Sequence, residues 1–512
     1  MRRRAWLVAA LVVGSLTVPV SATAVVDEIN TQKLRDAVSV NGILQHERAL
    51  QRIANRNEGT RAAGTPGYDA SAAYVKGQLE KAGYVVTEQP FEFEYYQEVT
   101  PATLSQVAPA AIAYETGTFT YSGSGQVTGQ IVPVTNLVVP ATSAPSSAAG
   151  CLAGDFVPAS ATEPQVALIQ RGSCTFGIKA QNAIAAGYDA VVIFNEGNPG
   201  RTELFTGTLG GTVSVPVVGL SYDDGAALFA ATLAGATTVS VSTEVIAEIR
   251  TTTNILADTK KGSPDKVIVV GAHLDSVLEG PGINDNGSGT ATILETAIQM
   301  SKSHVAPRQK VRFAFWGAEE LGLLGSENYV ATASDDDLAK IYANLNFDML
   351  GSPNYVRFVY DGDGSAAEGA PAGPPGSAQI ESIFTDYFTS QNLATEPTAF
   401  DGRSDYGPFI AAGIPAGGLF SGAEGVKTPE QAAIFGGTAG VAYDACYHQA
   451  CDTITNLSTK ALSELGDGAV HAIATLARSK GGFFEDGSRM ASRESSAVPA
   501  TEFDLKGGVL VR

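Results

Sequence analysis

Six polar side chains, with Asp275 in support of one of them, each placed at or near the end of an apolar run or in a tight loop, carry the chemistry of this chain. In Val267–Leu294, VIVVGAHLDSVLEGPGINDNGSGTATIL, an apolar run leads into His273 and Asp275. Ten residues further on, Asp285 sits in a loop rich in glycine and asparagine. Glu319 and Glu320 follow VRFAFWGA, Asp348 follows NLNF, and His448 lies between Cys446 and Cys451. Imidazoles and carboxylates are ligands for divalent metals of zinc's kind. The set suffices for two such ions with an ionisable carboxylate beside them, which is the equipment of a hydrolase.

Each residue has a reading of its own. Asp275, two positions after His273, can hydrogen-bond the second ring nitrogen and fix the tautomer of a ligand imidazole. Asp285 taken alone is a turn residue; beside other ligands it is a bridging carboxylate, since two cations about 4 Å apart need a shared anion. Of the adjacent pair Glu319 and Glu320, one can ligate while the other handles protons. An acid such as Asp348 at the end of an apolar strand is costly to bury unless paired or metal-bound. A disulfide across the Cys446–Cys451 loop would hold His448 as a ligand and Tyr447 as a hydrogen-bond donor.

The elements that position these residues follow from periodicity. From Thr251 onward, strands alternate with helices. Lys266–Gly271, Val311–Trp316, Ile341–Phe347, Val356–Tyr360 and Ala416–Phe420 read as strands; Gly289–Ser303, Leu321–Ala331, Ser377–Asn392 and Lys460–Ser479 read as helices. This is the α/β class, a mixed and largely parallel sheet sandwiched by helices. Ligands of such sheets sit beyond the carboxyl ends of the strands, where His273, Glu319, Glu320 and Asp348 fall. Two amphipathic helices, Asn41–Asn57 and Asp69–Ala82, and a strand, Tyr84–Phe93, precede this region. Between Ser105 and Ile246 the texture changes to short runs of Val, Thr, Gly and Ala, with strands at Val166–Gln170, Ala190–Phe194 and Val213–Gly219 and a helix at Phe176–Ala186. This reads as an inserted, mostly β module.

The expected organisation is a leader at 1–24, a discontinuous catalytic domain at 25–104 and 247–484, an insertion at 105–246 and a weakly ordered tail at 485–512. Arg2–Arg4, the apolar run Ala5–Val13 and Ala22-Thr23-Ala24 have the pattern of a secretory signal. The chain is therefore expected to be secreted, with no membrane insertion once the signal is removed. Its net charge of −20 excludes nucleic acid as a partner class. Four cysteines in an exported chain suggest two disulfides. Three pairings are open; the local one, Cys151 with Cys174 and Cys446 with Cys451, is the expectation.

In this order on an α/β chain, the motifs GAHLDS, GINDNGSG, FWGAEELGLLGS, NFDMLGS, DGRSDYGPF and CYHQACD, with GTRAAGTPG at Gly59–Gly67, resemble the M28 family of co-catalytic zinc peptidases. Within it, the likeness is to secreted aminopeptidases. The insertion resembles a protease-associated (PA) domain, through VALIQRGSCTFGIKAQNAIAAGYDAVVIFNE. The resemblance implies two Zn²⁺ per chain, one held by His273, Asp285 and Asp348, the other by Asp285, Glu320 and His448. It implies Glu319 as general base and acid, Tyr447 as donor to the oxyanion, and Arg403 lining the pocket for the substrate's amino terminus. The substrate would be a peptide or protein N-terminus with a large apolar first residue such as Leu, and the protein a monomer. Calcium is a further candidate ion to which no residue is assigned. A carboxypeptidase of the same family, a one-zinc glutaminyl cyclase and a non-catalytic receptor on the same fold are the alternatives.

Overall fold

The computed structural model describes residues 29–366 and 371–480; the leader and the tail beyond 480 lie outside the described residues. The centre of the fold is the strand Ser263–His273. It is flanked in parallel by Gln309–Trp316 on one side and Ile341–Phe347 on the other. Ala416–Phe420 continues the parallel set, and Phe358–Tyr360 joins it antiparallel.

Near-continuous apolar strands form here because both faces are covered. Ile268, Val270, Ala272, Phe313 and Phe315 point into one core, shared with the helices Val40–Arg56, Pro66–Lys81, Gly289–Lys302 and Thr459–Arg478. Val267, Val269, Ala314 and Trp316, the alternate positions, point into a second core with Tyr329 and Phe409. Each large apolar side chain fully buried in this way contributes about 1.5–3 kcal/mol. Side-chain caps start the helices: Ser39 accepts from the Gly42 N–H and Thr65 from the Tyr68 N–H.

The strand expected at Tyr84–Phe93 is far longer, running Val85–Ala108. It pairs antiparallel with Thr238–Asp258, from Val85 opposite Asp258 to Ala108 opposite Thr238, a partner that periodicity had not indicated. Much of this ribbon is exposed, so no one-sided apolar pattern marks it. The ribbon leads from the catalytic sheet into the inserted region, where Gly125–Pro133, Gln165–Gln170, Ala190–Phe194 and Val217–Leu220 lie parallel in that order. Ala167, Ile169, Val191 and Ile193 fill one face there; Val166, Leu168, Val192 and Phe194 fill the other. The expected strand Val213–Gly219 is shortened to Val217–Leu220, because Pro216 has no N–H to give a ladder. Among the described residues, all these strands belong to one fourteen-stranded mixed sheet. Disulfides join Cys151 to Cys174 and Cys446 to Cys451. Among the described residues, no helix is long and apolar enough to cross a membrane.

Candidate metal centre

Three neighbouring strands deliver the first candidate ligands. His273 is the last residue of its strand and lies opposite Trp316 in the ladder. Two residues past Trp316 the chain turns sharply: Ala318, Gly322 and Leu323 all have left-handed backbone. This turn displaces the start of the next helix from the expected Leu321 to Leu324 and directs Glu319 and Glu320 back over the sheet edge. Asp348 follows the third strand directly.

Asp285 is the common point. Its Oδ1 lies 3.2 Å from His273 Nε2, and its Oδ2 lies 3.3 Å from His448 Nε2. His273 Nε2 is also 3.3 Å from Asp348 Oδ1 and 3.9 Å from Glu319 Oε2; His448 Nε2 is 3.0 Å from Glu320 Oε2. The six side chains singled out in the sequence therefore converge. Burial alone would lower the His273 imidazole, but Glu319 and Asp348 raise it well above the ordinary range. Burial would likewise lower His448, and Glu320 and Asp285 push it up to about 11. Burial, with Asp285 beside it, raises Glu320 to about 7, and burial raises Glu319 strongly. The cluster is an acidic cage that favours positive charge at its centre.

The donor set fits divalent cations. Atoms able to donate to a metal gather within 4.8 Å of one another in two overlapping groups, His273, Glu319 and Asp348, and His273, Asp285 and Glu320. Glu320 Oε1 and Asp348 Oδ1 are buried and have no hydrogen-bond partner, an arrangement that is costly unless a cation fills it.

Supporting contacts hold the cage in place. His273 Nδ1 lies 3.6 Å from Asp275 Oδ1 and 3.3 Å from the Asp275 backbone oxygen. The Asp275 carboxylate also accepts the backbone N–H groups of Glu319 and Glu320, at 3.2 and 3.3 Å. Thus one residue orients the imidazole and anchors the glutamate pair. Ser404 Oγ donates to Asp348 Oδ2 at 2.6 Å. Arg61, fully buried, donates to the carbonyls of Leu274, Pro281 and Gly282, clamping the segment between His273 and Asp285. Asp452 accepts the backbone N–H groups of Asn284 and Asp285. The sequence reading had not assigned Arg61, Ser404 or Asp452; each lies within a motif quoted above, which was the available signal.

The cage opens into a cleft whose walls include Met349, Tyr360, Asp401, Arg403, Tyr406 and Phe420. The Tyr447 ring stacks on His448 at 3.8 Å. Burial, with Asp285 and Glu320 nearby, raises the Tyr447 hydroxyl and keeps it protonated. Arg403 Nη2 lies 3.4 Å from that hydroxyl, and Arg403 Nη1 pairs with Glu424 at 2.9 Å.

Comparison with known proteins agrees with this geometry. Residues 254–473 match the profile of peptidase family M28, and residues 121–228 that of the PA domain. An aminopeptidase of Pseudomonas aeruginosa is 47% identical over 432 residues, covering 83% of this chain and 78% of that protein. A probable leucine aminopeptidase 2 of Aspergillus fumigatus is 42% identical, over 82% of this chain and 80% of that one. The solved structure of a zinc aminopeptidase from Bacillus subtilis is 26% identical and superposes with a TM-score of 0.59, over 86% of this chain and 95% of that one. With relatives of this identity and coverage, the chain belongs to peptidase family M28 and carries an inserted PA domain.

Proposed function

We propose that this protein is a secreted aminopeptidase that removes N-terminal residues, preferably large and apolar, using two zinc ions. The observation that carries this reading is Asp285, whose two carboxylate oxygens each face a different imidazole at 3.2 and 3.3 Å. His273, Asp285 and Asp348 would hold one ion, and Asp285, Glu320 and His448 the other. When bound, zinc supplies Lewis acidity: it brings the pKa of coordinated water down to about 7 and polarises the scissile carbonyl.

The protein's own groups do the rest. Glu319, raised by burial and unprotected by any ligand role, accepts the attacking water's proton and returns it to the leaving amine. The Tyr447 hydroxyl, pinned by Arg403, donates to the oxyanion. Asp275 keeps the Glu319 backbone in register with the His273 ring.

With Asp285, Glu320 and Asp348 committed to the ions, Glu319 and Asp401 are the acids left in the cleft to receive a free ammonium, and its single guanidinium, Arg403, is already paired with Glu424. A carboxypeptidase would need unpaired cations there. Arg403 would repel an ammonium directly, so its part in the pocket is to form a wall and to hold Tyr447. The apolar wall of Met349, Tyr360 and Phe420 and the leucine aminopeptidase relative support an apolar first residue. The proposed division of the chain is a peptidase domain at 25–104 and 247–484 around a PA domain at 105–246.

Hydrolysis of leucyl-4-nitroanilide, its N-acetylated form and a C-terminally free N-acyl dipeptide separates these activities. Cleavage of the free-amine anilide alone, lost on chelation and restored by zinc, is the expected pattern. Cleavage of the N-acyl dipeptide would instead make the enzyme a carboxypeptidase.

A further inference from the structure

The two halves of the cage are built differently. His273 and Asp348 stand at strand ends, and the His273 side chain is 1% exposed. His448 stands on a loop whose residues from His448 to Cys451 are exposed, and its side chain is 40% exposed. Two buried carboxylates, Asp444 and Asp452, bracket that loop.

Asp452 grips the segment that bears the bridging carboxylate. Its Oδ1 accepts the Asn284 N–H at 2.8 Å, its Oδ2 accepts the Asp285 N–H at 3.0 Å, and its backbone oxygen accepts the Ile283 N–H at 3.2 Å. Asp444 accepts from the Asn284 side-chain amide at 2.6 Å and from the Cys446 N–H at 2.8 Å. The Asn456 amide spans the pair, donating to Asp444 at 2.9 Å and to Asp452 at 3.3 Å. No hydrogen bond of Asp452 reaches His273, Glu319 or Asp348; those residues are held by Asp275, Thr290 and Ser404.

We propose that Asp452 is a positioning residue chiefly for one metal position, the one on Asp285, Glu320 and His448; the other position shares Asp285 but also has His273 and Asp348, which Asp452 does not touch. This rests on the two-ion reading above. An exposed loop loses conformational freedom when it is fixed, and Asp452 fixes this one against the carboxylate that His448 must face. A carboxylate suits the task because its two oxygens accept two successive N–H groups. An amide offers one oxygen and turns its NH₂ against the other N–H. Partners behind metal ligands are typically worth 10–100-fold in affinity.

The test is zinc titration of metal-stripped wild type and Asp452→Asn, with bound ions counted by native mass spectrometry. Wild type takes two equivalents. Asp452→Asn still takes the first equivalent, which also reports that it is folded, with a smaller loss of affinity than the second, which it binds about 10–100-fold more weakly. Asn456→Ala, which removes only the bridging amide, shows the same selective loss to a smaller degree and serves if Asp452→Asn does not fold. Equal weakening of both equivalents, or no weakening, overturns the proposal. A wild type that takes one equivalent overturns the two-ion reading instead, and this inference with it.

Discussion

His448 Nε2 and Asp285 Oδ2 lie 3.3 Å apart, although one stands on an exposed disulfide loop and the other in a buried turn between the central strand and its following helix. His448 thus gives Asp285 a second imidazole on its other carboxylate oxygen, the arrangement that the proposed two-ion reading requires. The same relationship sets the roles of the remaining acids. In the proposed reading the acids nearest an imidazole, at 3.0 to 3.3 Å, are the ligands, and Glu319, further off at 3.9 Å from His273 Nε2, is left for proton transfer.

Glu319→Gln keeps the shape of the base and removes its basicity. kcat is expected to fall by about 10²–10⁴ with zinc content unchanged. Steady-state kinetics alongside metal analysis checks this; near-normal turnover with full metal content would remove Glu319 from the mechanism.

Tyr447→Phe removes one donor to the oxyanion, and kcat should drop by about 10²–10³ with little change in KM. Arg403→Ala, which frees the tyrosine, should lower kcat by less. The double variant should be no worse than Tyr447→Phe alone, because the two act as one unit. Additive losses in the cycle would show that Arg403 acts independently of Tyr447.

Arg61 is a buried cation that serves three carbonyls, and Glu47 is a buried carboxylate without a hydrogen-bond partner. Burial lowers Arg61 and raises Glu47, while each partly offsets the other. Arg61→Met leaves both the carbonyls and Glu47 uncompensated, and should cost about 3–5 kcal/mol. Denaturant titration measures it, and Arg61→Met with Glu47→Leu should recover part of the loss. A shift within experimental error for the single variant would contradict the clamp.

His471 packs on Tyr387 at 4.6 Å and shares a 2.9 Å hydrogen bond with Thr31. Burial, with Arg35 nearby, lowers its pKa from 6.5 to about 4. A depressed folded-state value means that stability is present above the unfolded pKa and is lost as pH falls from about 6.5 towards 4. The Tm advantage of wild type over His471→Gln should therefore shrink across that window, while above pH 7 it stays constant. A difference that is flat with pH would show that His471 does not titrate in this way.

Much of the catalytic half was legible because its signals are local. Apolar runs such as Val267–Val270 and Val311–Trp316 mark buried strands, and the polar residues that follow them, each weak evidence alone, fall jointly at one edge of the sheet. The ribbon Val85–Ala108 with Thr238–Asp258 was not legible beyond its first residues, since exposed strands carry no one-sided pattern. The double duty of Asp275 and the grip of Asp452 on Asn284 and Asp285 depend on backbone N–H groups. Backbone donors leave no trace in residue identity, so spacing could indicate His448 and not the carboxylate that holds its loop.

Anomalous diffraction at the zinc absorption edge, from crystals of the zinc-loaded enzyme, tests the central claim most directly. Two peaks are expected on either side of the Asp285 carboxylate, one within bonding distance of His273 and Asp348, the other of Glu320 and His448. A single peak, or two that do not share Asp285, would contradict it.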